Sequence, residues 1–148
     1  MNIDIDYENP WIYLERPFTS DDVHDYYGFV YNITNLTNQR QYIGRKYFWQ
    51  HRTPKGKKRK VKSESDWKKY YGSCPELKEE LQQVGRQNFS RTILSLHKTA
   101  GKTNYEETKQ LFTKGVLTEQ LDDGTPKYYN SNILSRYFRK DYYGLGQD

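Results

Sequence analysis

Two tyrosines, a series of arginines and lysines, a pair of adjacent glutamates and a late asparagine are the residues of this 148-residue chain whose types and spacing could do chemistry. Tyr31 and Tyr42 sit in two β-prone runs joined by the polar stretch Asn35 to Arg40, so they can lie on neighbouring strands of one hairpin. A phenol with a pKa near 10 is a poor base at neutral pH, and proton chemistry at either tyrosine therefore requires a neighbouring cation. Cations are close in sequence. Arg45 and Lys46 follow Gly44 directly, and from Arg52 to Lys62 seven of eleven residues are basic (Arg52, Lys55, Lys57, Lys58, Arg59, Lys60 and Lys62) with no acid among them. That run reads as an electrostatic arm for a phosphate backbone; a solvated loop or a nuclear localisation signal would have the same composition. Glu106 and Glu107 are expected in the first turn of a helix capped by Asn104, where acids answer the helix dipole. Asn130 and Asn132 precede ILSRYFRK and can cap a last helix. Cys74 has no nearby histidine to make it a nucleophile, His24 reads as a surface or capping residue, and His97 reads as a structural residue. AGKT, at 100–103, lacks the first glycine of a phosphate loop.

The elements that must position these groups follow from local pattern. Trp11, Tyr13 and Phe18 suggest a short strand or extended arm laid on the core, and Thr19 caps a short helix expected over Asp21 to Tyr27. In the hairpin, Phe29, Tyr31 and Ile33 share one face and Val30 and Asn32 the other. The basic run holds Pro54 and Gly56 and repels itself, which predicts an extended or mobile loop. Trp67, Tyr70 and Tyr71 have helical spacing, and PELKEELQQVG predicts a helix with Leu77, Leu81 and Val84 inward and Gly85 as its cap. Asn88 to Leu96 alternates as a third strand, with Phe89, Arg91, Ile93 and Ser95 on one face. The helix after Asn104 is expected to bury Tyr105, Thr108, Leu111 and Phe112.

Composition bounds the rest. The length suits one domain, expected as an acidic arm over 1–27, a body over 28–140 and a polar tail over 141–148. One cysteine excludes an internal disulfide and any cysteine-rich zinc site. No apolar run approaches membrane-spanning length and the N-terminus is acidic, so an intracellular, soluble product is expected, with no membrane partner. The net charge of +5 is split: before Gly28 seven acids face one base, and the remainder carries 23 bases against 12 acids. The basic body is the part a nucleic acid would meet.

The hairpin FVY, then YIG, resembles that of the GIY-YIG nucleases; Phe29 and Val30 stand where the family name has Gly and Ile, while Tyr31 and Tyr42-Ile43-Gly44 match it. The resemblance runs from about Gly28 to Asn130, in the order hairpin, helix, strand, helix, asparagine. It implies an α+β fold around a small three-stranded antiparallel sheet flanked by helices, and cleavage of phosphodiester bonds in double-stranded or branched DNA. It implies that Glu107, with Glu106 as fallback, holds Mg²⁺ or Mn²⁺, and that Tyr31 and Tyr42 position and deprotonate the attacking water, with His51 as the second candidate base. An arginine at the scissile phosphate is implied as Arg52, with Arg45 and Lys46 as competitors, and Asn130 is implied to close the site. The N-terminal arm, the basic insertion 52–62 and the block SDWKKYYG are similar to bacteriophage-encoded members, which places the product in the cytoplasm of a bacterial host. A catalytically silent nucleic-acid-binding module and a protein-interaction factor are the other classes this sequence allows.

Overall fold

The computed structural model describes residues 5–143. In chain order its elements are β1 (Ile12–Tyr13), β2 (Arg16–Pro17), β3 (Gly28–Asn35), β4 (Gln41–Tyr47), β5 (Trp49–Arg52), β6 (Val61–Glu64), α1 (Pro75–Val84), β7 (Phe89–His97), α2 (Ala100–Thr113), β8 (Asn132–Ile133), β9 (Tyr137–Phe138) and α3 (Arg139–Tyr142). The hairpin forms as its alternation dictates, with Tyr31 opposite Gly44 and Ile33 opposite Tyr42. β7 pairs antiparallel with β3, so β7, β3 and β4 make the expected three-stranded core. The sheet is nevertheless five-stranded and mixed, in the order β2-β1-β7-β3-β4, because the N-terminal segment adds a two-strand hairpin whose β1 runs parallel to β7. β4 is therefore an edge strand of this sheet.

One face buries a cluster of rings. Trp11, Phe18, Phe29, Tyr31, Phe48 and Trp67 interlock there, with Trp11 5.0 Å from Phe29 between ring centroids and Phe48 5.2 Å from Trp67. Phe29, which occupies the position of a glycine in the family name, is a fully buried ring of this core. The opposite face packs Val30 and Ile43 against Leu111 of α2, with Val116, Leu117, Tyr128 and Ile133. The register of β7 slips beside Val30 and Tyr31, leaving Leu94 unpaired. That bulge turns Leu96 onto the same face as Ile93, where strict alternation would have sent it to the other.

Five local expectations are corrected. The turn after Thr19 is a 3-10 turn over Ser20–Asp22, closed by Asp22 Oδ2 accepting from Thr19 N at 2.8 Å; His24 at φ 46° stops any longer helix. The basic run is the tip of an antiparallel hairpin, β5 with β6, in which His51 faces Lys62 and Arg52 faces Val61. α2 begins one turn earlier than expected, because Thr99 accepts from Lys102 N at 3.1 Å and caps it. Its buried residues are Thr103 and Leu111, while Tyr105 and Phe112 lie in solvent. The expected last helix is instead the small β8–β9 hairpin followed by a single turn of helix, α3. The GLGQD ending lies outside the described residues.

Candidate active site

Gly44 is the local reason that Tyr31 can reach the edge of the sheet. A Cβ at this position would lie 2.7 Å from Tyr31 Cζ and closer still to the hydroxyl, so the bare backbone lets the phenol pass across β4. The ring of Tyr31 is buried, 5.1 Å from Trp11 between centroids, and the residue helps to line a cavity of about 620 Å³ along the β4 edge. Tyr42 reaches the same cavity from two residues before Gly44, its ring centroid 6.2 Å from that of Tyr31.

Glu107 arrives from the other face. Because α2 starts at Ala100, Glu107 sits midway between the buried Thr103 and Leu111, four residues from each, and so faces the sheet. Glu106 turns aside and accepts from Gln110 Nε2 at 3.1 Å. Glu107 Oε1 pairs with Arg45 Nη1 at 3.0 Å, and Arg45 Nε donates to the Tyr47 hydroxyl at 3.3 Å. Asn104, freed from capping, accepts from the Tyr47 hydroxyl at 2.6 Å.

The cavity also takes Lys46, His51 and Arg52 into its lining. Lys46 pairs with Asp66 at 2.6 Å and lies 4.1 Å from the centre of the Tyr70 ring, while His51 stacks on Tyr27 at 6.3 Å. Arg52 is exposed at the last pair of the β5–β6 ladder, where the connecting loop begins. Lys55, Lys57, Lys58, Arg59 and Lys60 are carried outward on the β5–β6 tip, all in solvent, and Lys62 returns to lie 4.6 Å over Trp49. Tyr31, Tyr42, Glu107, Arg45, Lys46, His51 and Arg52 are thus brought together, and the hairpin lysines project from the rim.

Asn130 is placed differently. It is buried, and its side chain binds both polar groups of one residue, Oδ1 accepting from Ile43 N at 3.1 Å and Nδ2 donating to Ile43 O at 2.8 Å. It thereby fixes the backbone between Tyr42 and Gly44. A second cavity, of about 370 Å³, lies on this side and shares Tyr42, Arg45, Ser73 and Glu107 with the first.

The electrostatics follow from burial. Desolvation drives the Tyr31 hydroxyl well above the ordinary phenol range, with Tyr42, Tyr70 and Glu107 adding to the effect. Tyr42 is pushed up to about 12, chiefly by burial, against a hydrogen bond with Ser73 that works the other way. Burial also raises Glu107, opposed by Arg45. The cation that sequence reasoning required beside the tyrosines is therefore engaged with the carboxylate, and both phenols hold their protons at neutral pH.

Tyr27, Tyr47, Tyr70, Ser73 and Asn104 belong to the site and were not legible as such. Tyr47 had a signal, since residues 43, 45 and 47 of a strand share a face. Tyr70 had none; it is set in place by Arg91 Nη1, which donates to its carbonyl at 2.8 Å from across the core. Among the described residues no group of three or more His, Cys, Asp or Glu converges on one point. A hydrated Mg²⁺ fits that donor set, because it keeps several waters and binds by one or two carboxylates, and Glu107 presents one to an open polar cavity.

A family model described as "Putative endonuclease segE, GIY-YIG domain" matches residues 11–133. Among curated proteins, the "Putative endonuclease segE" of Enterobacteria phage T4 is 31% identical over 104 residues, covering 70% of this chain. The matched region is 40% of that relative, so the chain spans well under two thirds of its length. No solved structure gives a significant match. With the family match running from Trp11 through the tyrosine hairpin, the Glu107 helix and Asn130 to Ile133, the chain belongs to the GIY-YIG domain family.

Proposed function

We propose that the chain is a Mg²⁺-dependent endonuclease that hydrolyses DNA phosphodiester bonds, phage-encoded and acting inside a bacterial host. The observation that carries this reading is the convergence of Tyr31, Tyr42, Arg45, Arg52 and Glu107 on one open cavity at a sheet edge, with a lysine-rich hairpin rising from its rim. No helix among the described residues is long and apolar enough to cross a membrane.

Phosphodiester hydrolysis needs an oriented water, neutralised non-bridging oxygens and a stabilised leaving oxygen. Mg²⁺ held by Glu107 would supply Lewis-acid neutralisation of the phosphate and leaving group. Arg45 and Arg52 offer guanidinium donors suited to a phosphate, and the β5–β6 lysines hold the flanking backbone. Protonated Tyr31 and Tyr42 donate to the water or to a phosphate oxygen and fix its direction of approach. Either phenol becomes a base only when positive charge gathers in the cavity; His51, in the same wall, is the alternative proton acceptor.

The test is nicking of supercoiled and linear duplex DNA with Mg²⁺, with chelator, and with Glu107→Gln. Cleavage that needs Mg²⁺ and is lost in Glu107→Gln, while DNA binding stays intact, is expected. Cleavage unchanged in that variant overturns the assignment of Glu107. Binding without cleavage under any divalent ion would make the domain a silent nucleic-acid-binding module.

A further inference from the structure

The second cavity is walled on one side by the tip of the β8–β9 hairpin. β8 and β9 are joined through Leu134 and Ser135, both left-handed at φ 58° and 50°, and Arg136 N donating to Ile133 O at 3.1 Å closes the turn. Such positions favour Gly, Asn or Asp, and a branched apolar residue is strained there. Leu134 nonetheless holds this conformation, as a residue 64% exposed. The tip is firmly seated: Ile133 is buried against Leu111 and Val30, Asn132 Oδ1 accepts from Ser135 N at 3.0 Å, and Arg139 N donates to Ser131 O at 2.8 Å. A solvent-facing leucine held in a left-handed turn thus stands at the rim of a cavity shared with Glu107.

Position supplies the explanation. Arg45 and Glu107 line both cavities, so a phosphate seated at that pair has one nucleoside over the larger cavity and the next over the smaller. The smaller, at about 370 Å³, is roomy enough for one nucleobase and combines hydroxyls and an amide (Ser131, Ser135, Asn132) with the apolar Leu111. A base that stays stacked in a duplex cannot enter such a concavity. We propose that this cavity is a nucleobase subsite beside the scissile phosphate: the base leaves the stack to enter it, and Leu134 is the wedge that fills the vacated step. Apolar wedges beside basic residues do this elsewhere in protein–DNA recognition, and the exposed Arg136 stands next to this one.

The inference rests on the endonuclease reading, and its test separates the two. The wild-type cleavage position is mapped first, then 2-aminopurine is placed at each nucleotide flanking it and fluorescence is followed on binding with Ca²⁺ in place of Mg²⁺. Leu134→Gly and Leu134→Asn keep the backbone conformation without the wedge, Leu134→Met keeps the wedge, and Leu14→Gly is the control. Leu14 is likewise left-handed and exposed, at φ 49° and 75%, but it tips the β1–β2 hairpin at the opposite edge of the sheet. Brightening at one flanking position is expected for wild type, Leu134→Met and Leu14→Gly. Its loss is expected in Leu134→Gly and Leu134→Asn, with cleavage lowered at least about tenfold, equivalent to about 1.4 kcal/mol. Cleavage by wild type without brightening, equal brightening in Leu134→Gly, or an equal loss in Leu14→Gly overturns the wedge. Absence of any wild-type cleavage overturns the endonuclease reading and the subsite with it.

Discussion

Gly44 illustrates how narrow the tolerance of the site is. Adding one methyl group sets a carbon 2.7 Å from the Tyr31 ring, so Gly44→Ala must push the phenol off the β4 edge or open the sheet. We expect a loss of about 1–3 kcal/mol in stability, as for other overpacked positions, together with loss of cleavage. Thermal unfolding and nicking on the same sample check it. Tyr31→Phe and Tyr42→Phe make the complementary case, since they keep the ring and remove only the hydroxyl. The melting temperature should stay within a few degrees while turnover falls by about a hundredfold or more; full activity in both would transfer the proton chemistry to His51. The phenols also set an alkaline limit. Their folded pKa values lie above the ordinary value near 10, so the stability they lend is complete below that pH and is lost as pH rises through the folded values, about 12 for Tyr42. Urea midpoints should fall above pH ~10, and Tyr42→Phe should flatten that fall. Arg45, finally, sits on the carboxylate assigned to the metal. Arg45→Ala should bind Mn²⁺ more tightly than wild type in the absence of DNA, by titration calorimetry; equal affinity would mean that the pair does not compete with the ion.

At the level of elements, the parts legible in the sequence were those with a regular apolar pattern. β3 and β4 carry runs of β-prone residues, β3 being buried on both faces from Gly28 to Tyr31, β7 buries alternate residues from Phe89 to Ile93, and α1 has its helical stripe and its Gly85 cap, so pattern alone placed them. β5 and β6 were missed because their pairing leaves Val61 exposed and gives no apolar period; charge repulsion was the only visible signal, and backbone pairing outweighed it. Glu107 was read into a first turn because Asn104 looked like a cap. Thr99 had the better claim, and moving the start back is what places Glu107 between Thr103 and Leu111 on the inner face. The last helix was misread for a similar reason: two left-handed residues in succession, at Leu134 and Ser135, left no trace in residues that ordinarily avoid that conformation. For the β5–β6 hairpin, neutralising Lys57, Lys58, Arg59 and Lys60 should weaken binding to all DNA sequences alike and lower the slope of log affinity against log salt by about 0.9 per lost phosphate contact. An unchanged slope would make the hairpin tip a bystander.

Across the whole molecule, the N-terminal segment and the site are linked through one buried cation. Arg91 is 1% exposed, stacks 4.6 Å from Trp11 and 4.3 Å from Tyr71, and donates to the carbonyls of Glu8, Asn9 and Tyr70. Two of those three acceptors precede Trp11, so removing residues 1–10 leaves a buried guanidinium short of partners. A destabilisation of about 3–5 kcal/mol is expected from that loss, seen as a lower urea midpoint; retained stability with tighter DNA binding would instead make the segment an electrostatic shield over the basic body. Asn130 works at the same scale, from the far end of the chain. Its amide offers one acceptor and one donor to the two polar groups of Ile43, as a peptide unit of a neighbouring strand would, and Gln41 is paired just before it with Lys127 and Tyr129. The side chain is a surrogate peptide that finishes the sheet by a single rung. Before Gly44 the margin of β4 is sealed against a second chain; after it the margin stays open, and there the cavity begins. Asn130→Asp, which swaps the donor for an acceptor, should set a carboxylate oxygen against the Ile43 carbonyl and let the sealed margin fray toward the tyrosines, seen as faster hydrogen exchange along β4.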